Sequence, residues 1–406
     1  MWNHKDSYRV CNGIVSASTI EHSSLGLVFF PAFDWKISAT HPERQERLLY
    51  TRDQIVEEGL LDVPNIREYN PIVADWDVIE RVHVGAPDLQ SWVTDAHRVS
   101  AGGAIAAADA VLRGEVDRAF ALVRPPGHHA MAMVHGIRGF CTINIEAVMI
   151  QHIRQTYGVK RVAIVDTDVH HGDGSQDVFY HDPDTLYISF HQDGRTLYPG
   201  TGFMDEFGGP QAIGANIDIP LPPGTGDEGL LKVMRELVLP MLHEFKPDIV
   251  INSAGQDNHF SDPLANMNVT AKGYAELVDL LQADIAVLEG GYSVQEALPY
   301  VNTGIILSMA GLDYSRVIEP NYVEQHQSAD VTRYIDDLIL KWKDQWARRE
   351  EIARDELIGH KDRWVRDYSV YYDESGVQEE RRETVRLYPD KIGWYSIESY
   401  GNYGPY

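Results

Sequence analysis

Short apolar runs alternate with amphipathic stretches along most of the chain. Five apolar runs rich in β-branched residues predict strands buried on both faces: 119–123, 161–166, 185–190, 248–253 and 284–289. Between them, apolar side chains recur at helical spacing in 99–113, 143–157 and 227–245. Strands that alternate with helices predict an α/β fold with a parallel sheet covered on both faces. Ligands of such sheets bind just beyond the carboxyl ends of the strands.

The pattern changes after about residue 312. Residues 329–357 predict a charged helix, 364–372 a strand, 373–376 a turn and 383–388 a return strand. We therefore divide the chain into a domain over 1–312 and a C-terminal appendage over 313–406. The appendage would contain a helix at about 329–357 and a hairpin at about 364–388.

One face of the predicted C-terminal helix is apolar, with side chains spaced by three or four: Val331, Tyr334, Leu338, Trp342 and Trp346. From this stripe we predict that residues 329–388 join two copies of the chain into a homo-oligomer or cover part of a site's rim. Packing of the stripe on its own domain is the alternative.

Composition and charge limit the classes of protein. Hydrophobic residues make up 44% and charged residues 24% of the 406 positions, which excludes a fibrous or wholly disordered chain. The formal net charge of −26 disfavours nucleic-acid binding and would attract cations at long range. Two cysteines form no disulfide framework, residues 1–10 lack a signal-peptide core, and no run approaches a membrane span. We expect a soluble, cytoplasmic protein.

The segment VDTDVHHGDG, residues 165–174, carries the strongest chemical pattern. Alternate side chains of a strand face the same way, so Asp166, Asp168 and His170 should share one face where the strand ends. Carboxylates and an imidazole at one point suit a divalent metal such as zinc, whereas a solvated acidic loop is the alternative. A third ligand would come from 253–263, where Asp257, His259 and Asp262 compete.

Two further segments follow predicted strands. RPPGHHA, residues 124–130, places His128 and His129 side by side, and imidazoles titrate near neutrality as acid–base groups do. LEGGYSV, residues 288–294, presents Tyr292 after a glycine pair, and a phenol can donate to a developing oxyanion. Surface histidines and a tyrosine packed under its turn are the alternatives.

In this order, the segments resemble the zinc-dependent deacetylases, which include histone deacetylases, acetylpolyamine amidohydrolases and acetoin-utilisation proteins. The similarity runs from about Gly26 to about residue 311 and includes HPERQERL (41–48), GFCTIN (139–144), YPGTG (198–202) and PPGTGDE (222–228). It implies an arginase/deacetylase-like single α/β domain with an eight-stranded parallel sheet flanked by helices. It also implies metal-dependent hydrolysis of linear amides, which removes acetyl or other acyl groups from lysine side chains or related amines.

The resemblance also implies cofactors. Asp168, His170 and Asp257 match the family's zinc ligands, a match that selects Asp257 over Asp262; ferrous iron is the alternative metal. A structural potassium ion is implied by matches at Asp166, Asp168, His170, Ser189 and Phe190. A second monovalent-cation site is implied at Phe179, Asp182 and Thr185, where an ordinary helix–strand loop is the alternative.

Catalytic and substrate-binding positions carry over in the same way. His128 and His129 match the family's histidine pair, with His129 as our choice of general base, and Tyr292 matches the tyrosine that helps to polarise the acyl carbonyl. The carboxylates that orient the two imidazoles match Asp166 and Asp173. The substrate tunnel matches Gly139, Phe140 and Tyr198, with Leu264 where polyamine-selective members carry a glutamate.

Three functions therefore remain open. A deacetylase of acylated lysine or a similar small amide agrees best with these residues. An acetylpolyamine amidohydrolase is the alternative, although Leu264 lacks the carboxylate that selects polyamines in some members. A non-catalytic protein that binds acyl groups is the third. The sequence of residues 130–138 departs from the pattern usual in the family, so we expect an unusual rim around the site.

Overall fold

In the computed structural model, which describes residues 23–360, 370–372 and 378–381, eight parallel strands form one sheet. Its order is β2-β1-β4-β10-β9-β6-β7-β8. These strands are β1 Leu25–Phe30, β2 Ile66–Tyr69, β4 Arg118–Val123, β6 Val162–Asp166, β7 Thr185–Gln192, β8 Asn216–Leu221, β9 Ile249–Ala254 and β10 Ile285–Leu288. Two short strands, β3 Val84–Gly85 and β5 Met133–Val134, pair in parallel outside this sheet. The predicted eight-stranded α/β fold is confirmed.

Helices cover both faces of the sheet. They are α1 Glu46–Glu57, α2 Trp76–Ile79, α3 Asp95–Leu112, α4 Ile145–Tyr157, α5 Asp173–Phe179, α6 Asp227–Val233, α7 Leu239–Phe245, α8 Ala271–Leu281, α9 Leu298–Met309, α10 Ala329–Ala347 and α11 Arg349–His360. A π-helical turn, Met234–Val238, joins α6 to α7. None of the helices in the described residues is long and apolar enough to cross a bilayer.

Two hydrophobic clusters lie on opposite faces of the sheet. Along β4, Phe120 and Leu122 pack into the cluster with α1 and α6–α10, whereas Ala119, Ala121 and Val123 pack into the cluster with α2–α4. This alternation is what a strand buried on both faces requires, because successive side chains point to opposite sides. The clusters fix the sheet, so the loops at its carboxyl edge start from defined positions.

The strands β1, β2 and β8 are not among the five apolar runs. β2 is a sheet edge whose middle residues, Arg67 and Glu68, are exposed, so it lacks an apolar pattern. β8 forms the opposite edge and contains Asp218 and Pro220, both unusual within a strand. An edge strand tolerates proline because one side of its backbone needs no ladder hydrogen bonds.

The predicted C-terminal helix is two helices, α10 and α11, separated at Arg348. The buried face of α10 consists of Ile335, Leu338, Ile339 and Trp342, which join the same core cluster as α6 and α9. The apolar stripe therefore packs largely on its own domain, which was the alternative considered from the sequence. Self-association through the remaining surface, and the division at residue 312, stay predictions.

Two short antiparallel strands, β11 Val370–Tyr372 and β12 Gln378–Arg381, fall within the predicted hairpin. The return strand is therefore β12, which lies earlier in the chain than predicted. The alternating pattern predicts it at residues 383–388. The predicted turn at 373–376 and residues 383–388 themselves lie outside the described residues.

Trp342 should stabilise the whole domain if α10 belongs to the core. Its side chain is fully buried, with its ring 5.7 Å from that of Phe207. We expect Trp342→Ala to lower the free energy of unfolding by about 3–5 kcal/mol, the usual cost of deleting a buried aromatic side chain. Leu340→Ala on the exposed face of the same helix is the control and should change it by less than about 0.5 kcal/mol. The free energies are measured by denaturant unfolding, and equal decreases in the two variants would contradict this packing.

Candidate active site

The loop after β6 begins the site. Only Asp166 lies on β6, which ends there, so the expectation that Asp168 and His170 continue the strand is wrong. Asp166 Oδ1 accepts the Asp168 N–H at 3.1 Å, and Asp168 Oδ1 accepts the His170 N–H at 2.9 Å. Such side-chain-to-backbone bonds are typical of Asx turns and replace the lost ladder bonds. They keep the three side chains buried together at the carboxyl edge of the sheet.

Asp168, His170 and Asp257 form a buried group whose ligand atoms lie within 4.8 Å of one another. His170 Nδ1 is 3.1 Å from Asp168 Oδ1 and 3.0 Å from Asp257 Oδ2. The other oxygens are held by the backbone: Gly290 N–H donates to Asp168 Oδ2 at 2.7 Å and Val169 N–H to Asp257 Oδ1 at 2.8 Å. Two carboxylates and an imidazole fit zinc, and three protein ligands leave a coordination position open.

Neighbouring imidazoles partly compensate the negative charge of this group. Burial alone would lower the pKa of His170, but hydrogen bonds and charge from Asp168 and Asp257 outweigh it and raise that pKa to about 10. Burial would raise the pKa of Asp168, yet His128 and His170 hold it well below the usual range. Burial and the charge of Asp168 raise the pKa of Asp257. Two adjacent buried carboxylates are costly unless positive charge compensates them.

The two competitors for the third ligand have other partners. Asp262 Oδ2 accepts the backbone N–H groups of Tyr292 at 2.6 Å and Ser293 at 3.2 Å, so this carboxylate braces the tyrosine turn. His259 Nε2 faces Glu319 Oε1 at 3.4 Å. Geometry therefore groups Asp257 with Asp168 and His170, in agreement with the choice that the resemblance made.

The histidine pair lies in the turn after β4, with ring centroids 4.1 Å apart. His128 Nδ1 is 3.1 Å from Asp166 Oδ2, which also accepts the Tyr187 hydroxyl at 2.9 Å. His129 Nδ1 is 2.7 Å from Asp173 Oδ1, at the first residue of α5. Each imidazole therefore has the carboxylate partner that the family resemblance implies for it.

The two imidazoles differ in protonation. Burial lowers the pKa of His128, but the charges of Asp168 and Asp166 more than compensate and raise it well above its usual value. Burial and the neighbouring His128 cation lower the pKa of His129 to about 3. The two shifts have opposite directions, so His129 is the imidazole of the pair that is neutral near neutral pH. A neutral imidazole is the form that can accept a proton.

Tyr292 follows Gly290 and Gly291, the second of which has a φ of +115° that favours glycine. The Tyr292 ring lies 5.5 Å from the Phe140 ring and 5.0 Å from the Arg47 guanidinium. Within residues 23–354, whose side chains the structure describes, no group hydrogen-bonds the Tyr292 hydroxyl. Burial raises the pKa of this phenol well above its usual value, so it stays protonated and can donate to a ligand.

A buried ion cluster supports the tyrosine turn. Arg47 Nε donates to the Gly291 carbonyl at 2.7 Å, and Arg47 Nη1 to Glu43 Oε1 at 3.1 Å. Both Glu43 oxygens also accept from the guanidinium of Arg124, each at 2.7 Å. Sequence reasoning gave these three residues no role. The sequence signal for this cluster is the i,i+4 spacing of Glu43 and Arg47, which is also the spacing of exposed ion pairs on helix surfaces.

Glu289 is a further residue to which the sequence assigned no role. Its Oε2 accepts the backbone N–H groups of Gly127 at 2.7 Å and His128 at 3.0 Å, so it fixes the histidine turn. Burial raises the pKa of Glu289 to about 7, against the opposing charge of His128. Because Glu289 directly precedes the glycine pair before Tyr292, it joins the histidine turn to the tyrosine turn.

The four predicted tunnel residues are distributed around these groups. The Tyr198 ring lies 5.1 Å from His129 and 6.4 Å from His170, and it is 45% exposed. Phe140 contacts Tyr292. A Cβ on Gly139 would lie 2.2 Å from His129 Cδ2, so no larger residue fits at this point. Leu264 is half-buried in the loop that Asp262 holds by accepting the Leu264 N–H at 2.9 Å.

The predicted monovalent-cation sites differ in their surroundings. Asp166 and Ser189 are neighbours across β6 and β7, with Phe190 next along β7. At the second site, Phe179 O accepts the Asp182 N–H, but the Asp182 carboxylate is already paired with Arg154 at 2.6 Å. Arg154 also donates to the Thr185 hydroxyl at 2.8 Å. An internal guanidinium thus neutralises the Asp182 carboxylate of the second site, whereas at the first site Asp166 is paired with the imidazole of His128.

Comparison with known proteins gives one consistent family. The family model described as "Histone deacetylase domain" matches residues 87–307. A "Probable deacetylase" of Archaeoglobus fulgidus is 44% identical over 74% of this chain and 90% of its own length. The "Histone deacetylase-like amidohydrolase" of Pseudomonas aeruginosa is 37% identical over 57% of this chain and 62% of its own. "Acetoin utilization protein AcuC" of Bacillus subtilis is 31% identical over 74% of this chain and 86% of its own.

Solved structures agree with this result. The structure titled "Crystal Structure of HDA15 HD domain" superposes with a TM-score of 0.70 at 28% identity, and the match covers 83% of this chain and 99% of that chain.

Metal analysis of single variants tests the ligand group. Asp168→Ala and Asp257→Ala should each lose the bound metal ion and the activity that depends on it, because two remaining protein ligands hold it poorly. Asp262→Asn is the matched control, since that carboxylate braces a turn, and it should retain the metal. Stoichiometric metal in Asp257→Ala together with its loss from Asp262→Asn would show that the third ligand is wrongly assigned.

Proposed function

The chain belongs to the histone deacetylase family, and on that basis we propose that it hydrolyses the amide bond of acylated lysine side chains or related acylated amines. One observation carries the proposal: a buried Asp168, His170 and Asp257 group lies beside a histidine pair and a tyrosine whose hydroxyl has no hydrogen-bond partner among the described side chains. These are the groups that metal-assisted amide hydrolysis needs: a metal site, a proton acceptor and an oxyanion donor.

We propose zinc as the metal, with ferrous iron as the alternative, held by Asp168, His170 and Asp257. When bound, such an ion supplies Lewis-acid chemistry, which acidifies water and polarises an acyl carbonyl. A potassium ion at Asp166 and Ser189 is a further part of the proposal. For the second monovalent site we retain only the sequence prediction, because Arg154 already neutralises the Asp182 carboxylate.

The hydrogen bonds of His129 support its role as general base. A carboxylate can only accept, so the bond to Asp173 Oδ1 requires the proton on His129 Nδ1 and leaves Nε2 as an acceptor. Nε2 would take a proton from the attacking water and later give it to the departing amine. His128, between Asp166 and Asp168, would stay positively charged and stabilise the negative charge that develops.

Tyr292 would donate a hydrogen bond to the tetrahedral oxyanion of the substrate. Phe140 and Tyr198 would enclose the methylene chain of the acylated amine, and their rings would exclude water from the reacting amide. Leu264 supplies no carboxylate to bind the second ammonium group of a polyamine. Acylated lysine is therefore the preferred substrate class, and acetylated polyamines are the competing outcome.

A substrate panel tests this function. Acetyl-lysine peptides, longer acyl-lysine peptides and acetylated polyamines would be compared under identical conditions, with and without a chelator. We expect acetyl-lysine turnover that the chelator abolishes. Faster turnover of the polyamines would favour the alternative substrate class, and tight binding of acyl-lysine without turnover would establish a binding protein instead.

Tyr292→Phe tests the proposed oxyanion donor. The variant loses one hydrogen bond made mainly in the transition state, so kcat should fall about 100- to 1000-fold. Metal content and substrate affinity should stay near wild type, because that bond is weak before charge develops. Tyr314→Phe, which loses a hydroxyl bonded to Asp279 at 3.1 Å, is the control and should leave kcat unchanged. Turnover within a few-fold of wild type in Tyr292→Phe would refute the role.

A further inference from the structure

Arg138 forms an ion pair with the carboxylate that orients His129. Asp173 uses Oδ1 for His129 Nδ1, and its Oδ2 accepts from Arg138 Nε at 3.0 Å and also from Arg138 Nη2. Asp173 is 4% exposed, whereas the arginine side chain is 38% exposed. One carboxylate therefore joins a buried imidazole to a guanidinium at the surface of the site.

The backbone of Arg138 also shapes the tunnel wall. Its N–H and C=O each pair with Cys141 at 2.8 Å and close a two-residue turn over Gly139 and Phe140. Both turn residues have positive φ, +50° and +71°, and for phenylalanine that conformation costs free energy which its surroundings must offset. The Arg138 side chain supplies a second attachment, so that the turn is tied to α5 as well as to Cys141.

The surroundings of the Arg138–Asp173 ion pair keep the desolvation free energy of forming it low. A cavity of about 280 Å³ lies on this side of Asp173, lined by Arg138, Gln176, Asp177 and Thr201, among others. Solvent in an open cavity hydrates the outer face of the guanidinium, so the desolvation cost falls mainly on Asp173. Burial would raise the pKa of Asp173, but His129 and Arg138 hold it at about 2, and the carboxylate is therefore ionised near neutral pH.

We propose that Arg138 is a positioning residue: its guanidinium fork holds Asp173 with Oδ1 directed at His129, and thereby aligns the imidazole with the Phe140 wall. The inference rests on the proposed function. Both Arg138 donors bond Oδ2 while His129 Nδ1–H bonds Oδ1, so the carboxylate is held at both oxygens and its orientation is fixed. Without Arg138, Asp173 would rotate toward the solvated cavity, and His129 would lose its alignment.

Kinetics of Arg138→Met and Arg138→Lys test the proposal. We expect Arg138→Met to lower kcat by about tenfold or more, the usual effect of removing a partner that orients a functional histidine, with KM changed less than kcat. Arg138→Lys should recover part of the loss, because an ammonium supplies charge without the fork. Arg113→Met, which breaks a comparable pair with Asp109 at 2.8 Å outside the site, is the matched control and should leave kcat unchanged.

The double variant identifies the route of the effect. If Arg138 acts through Asp173, then Arg138→Met should have little further effect in an Asp173→Asn background, since the charge that it holds is gone. An undiminished effect in that background would mean that Arg138 acts through the turn alone, and would overturn the proposal. So would an Arg138→Met enzyme with kcat within twofold of wild type.

A readout without substrate separates this proposal from the proposed function. The hydrogen-bonded His129 Nδ1–H should give a downfield proton NMR signal, assigned by its loss in His129→Gln. We expect the signal to remain in Arg138→Lys and to broaden or disappear in Arg138→Met. An unchanged signal in Arg138→Met would overturn the positioning role even if no substrate is turned over. Absence of any turnover in the wild type, with the expected signals, would instead contradict the function alone.

Discussion

Buried negative charge at one edge of the sheet must be compensated, and the rest of the structure depends on this requirement. Asp166, Asp168 and Asp257 are fully buried within the same loop cluster. An uncompensated buried carboxylate costs several kcal/mol, so each needs hydrogen-bond donors and nearby positive charge. Backbone N–H groups of the loops and the imidazoles supply the donors, and a divalent cation would supply the remaining charge. Loops that did not meet at these carboxylates would leave them unpaired.

The order of the strands explains why these groups meet. β4, β10, β9 and β6 are adjacent in the sheet, and the loops after them carry the histidine pair, Tyr292, Asp257 and the Asp168–His170 segment, respectively. Because the strands are parallel, all four loops leave the same edge. Glu289 and the Glu43–Arg47–Arg124 cluster then join the loops to one another, so the site is held by buried hydrogen bonds as well as by packing.

The sequence predicts the parts of this site that are local. The five apolar runs are strands, and candidate catalytic or metal-binding residues follow four of them. The location of the site at the carboxyl edge of the sheet could therefore be inferred from the sequence alone. The choice among Asp257, His259 and Asp262 could not, because the conformation of a loop is not encoded in residue spacing. Nor could the Glu43–Arg124 pair, 81 positions apart, or the contact of Arg138 with Asp173. Such contacts exist only once distant segments have packed.

The structure also changes the interpretation of the C-terminal region. Its charged helix with an apolar stripe looks, in sequence, like a surface made for a partner, and the family resemblance ends before it. In three dimensions, Leu338 and Trp342 of α10 complete the core cluster over α6. A stripe at helical spacing shows only that a helix face is buried, and not against what.

X-ray absorption spectroscopy of the purified, metal-loaded protein tests the central claim most directly, because it reports the ligand atoms themselves. The buried group of two carboxylates and one imidazole predicts a single divalent metal ion with only nitrogen and oxygen neighbours, at about 2.0–2.2 Å for zinc. A sulfur neighbour at about 2.3 Å, which would require a cysteine such as Cys141, would contradict the account. An unchanged shell of nitrogen and oxygen neighbours in Asp257→Ala would also contradict the account.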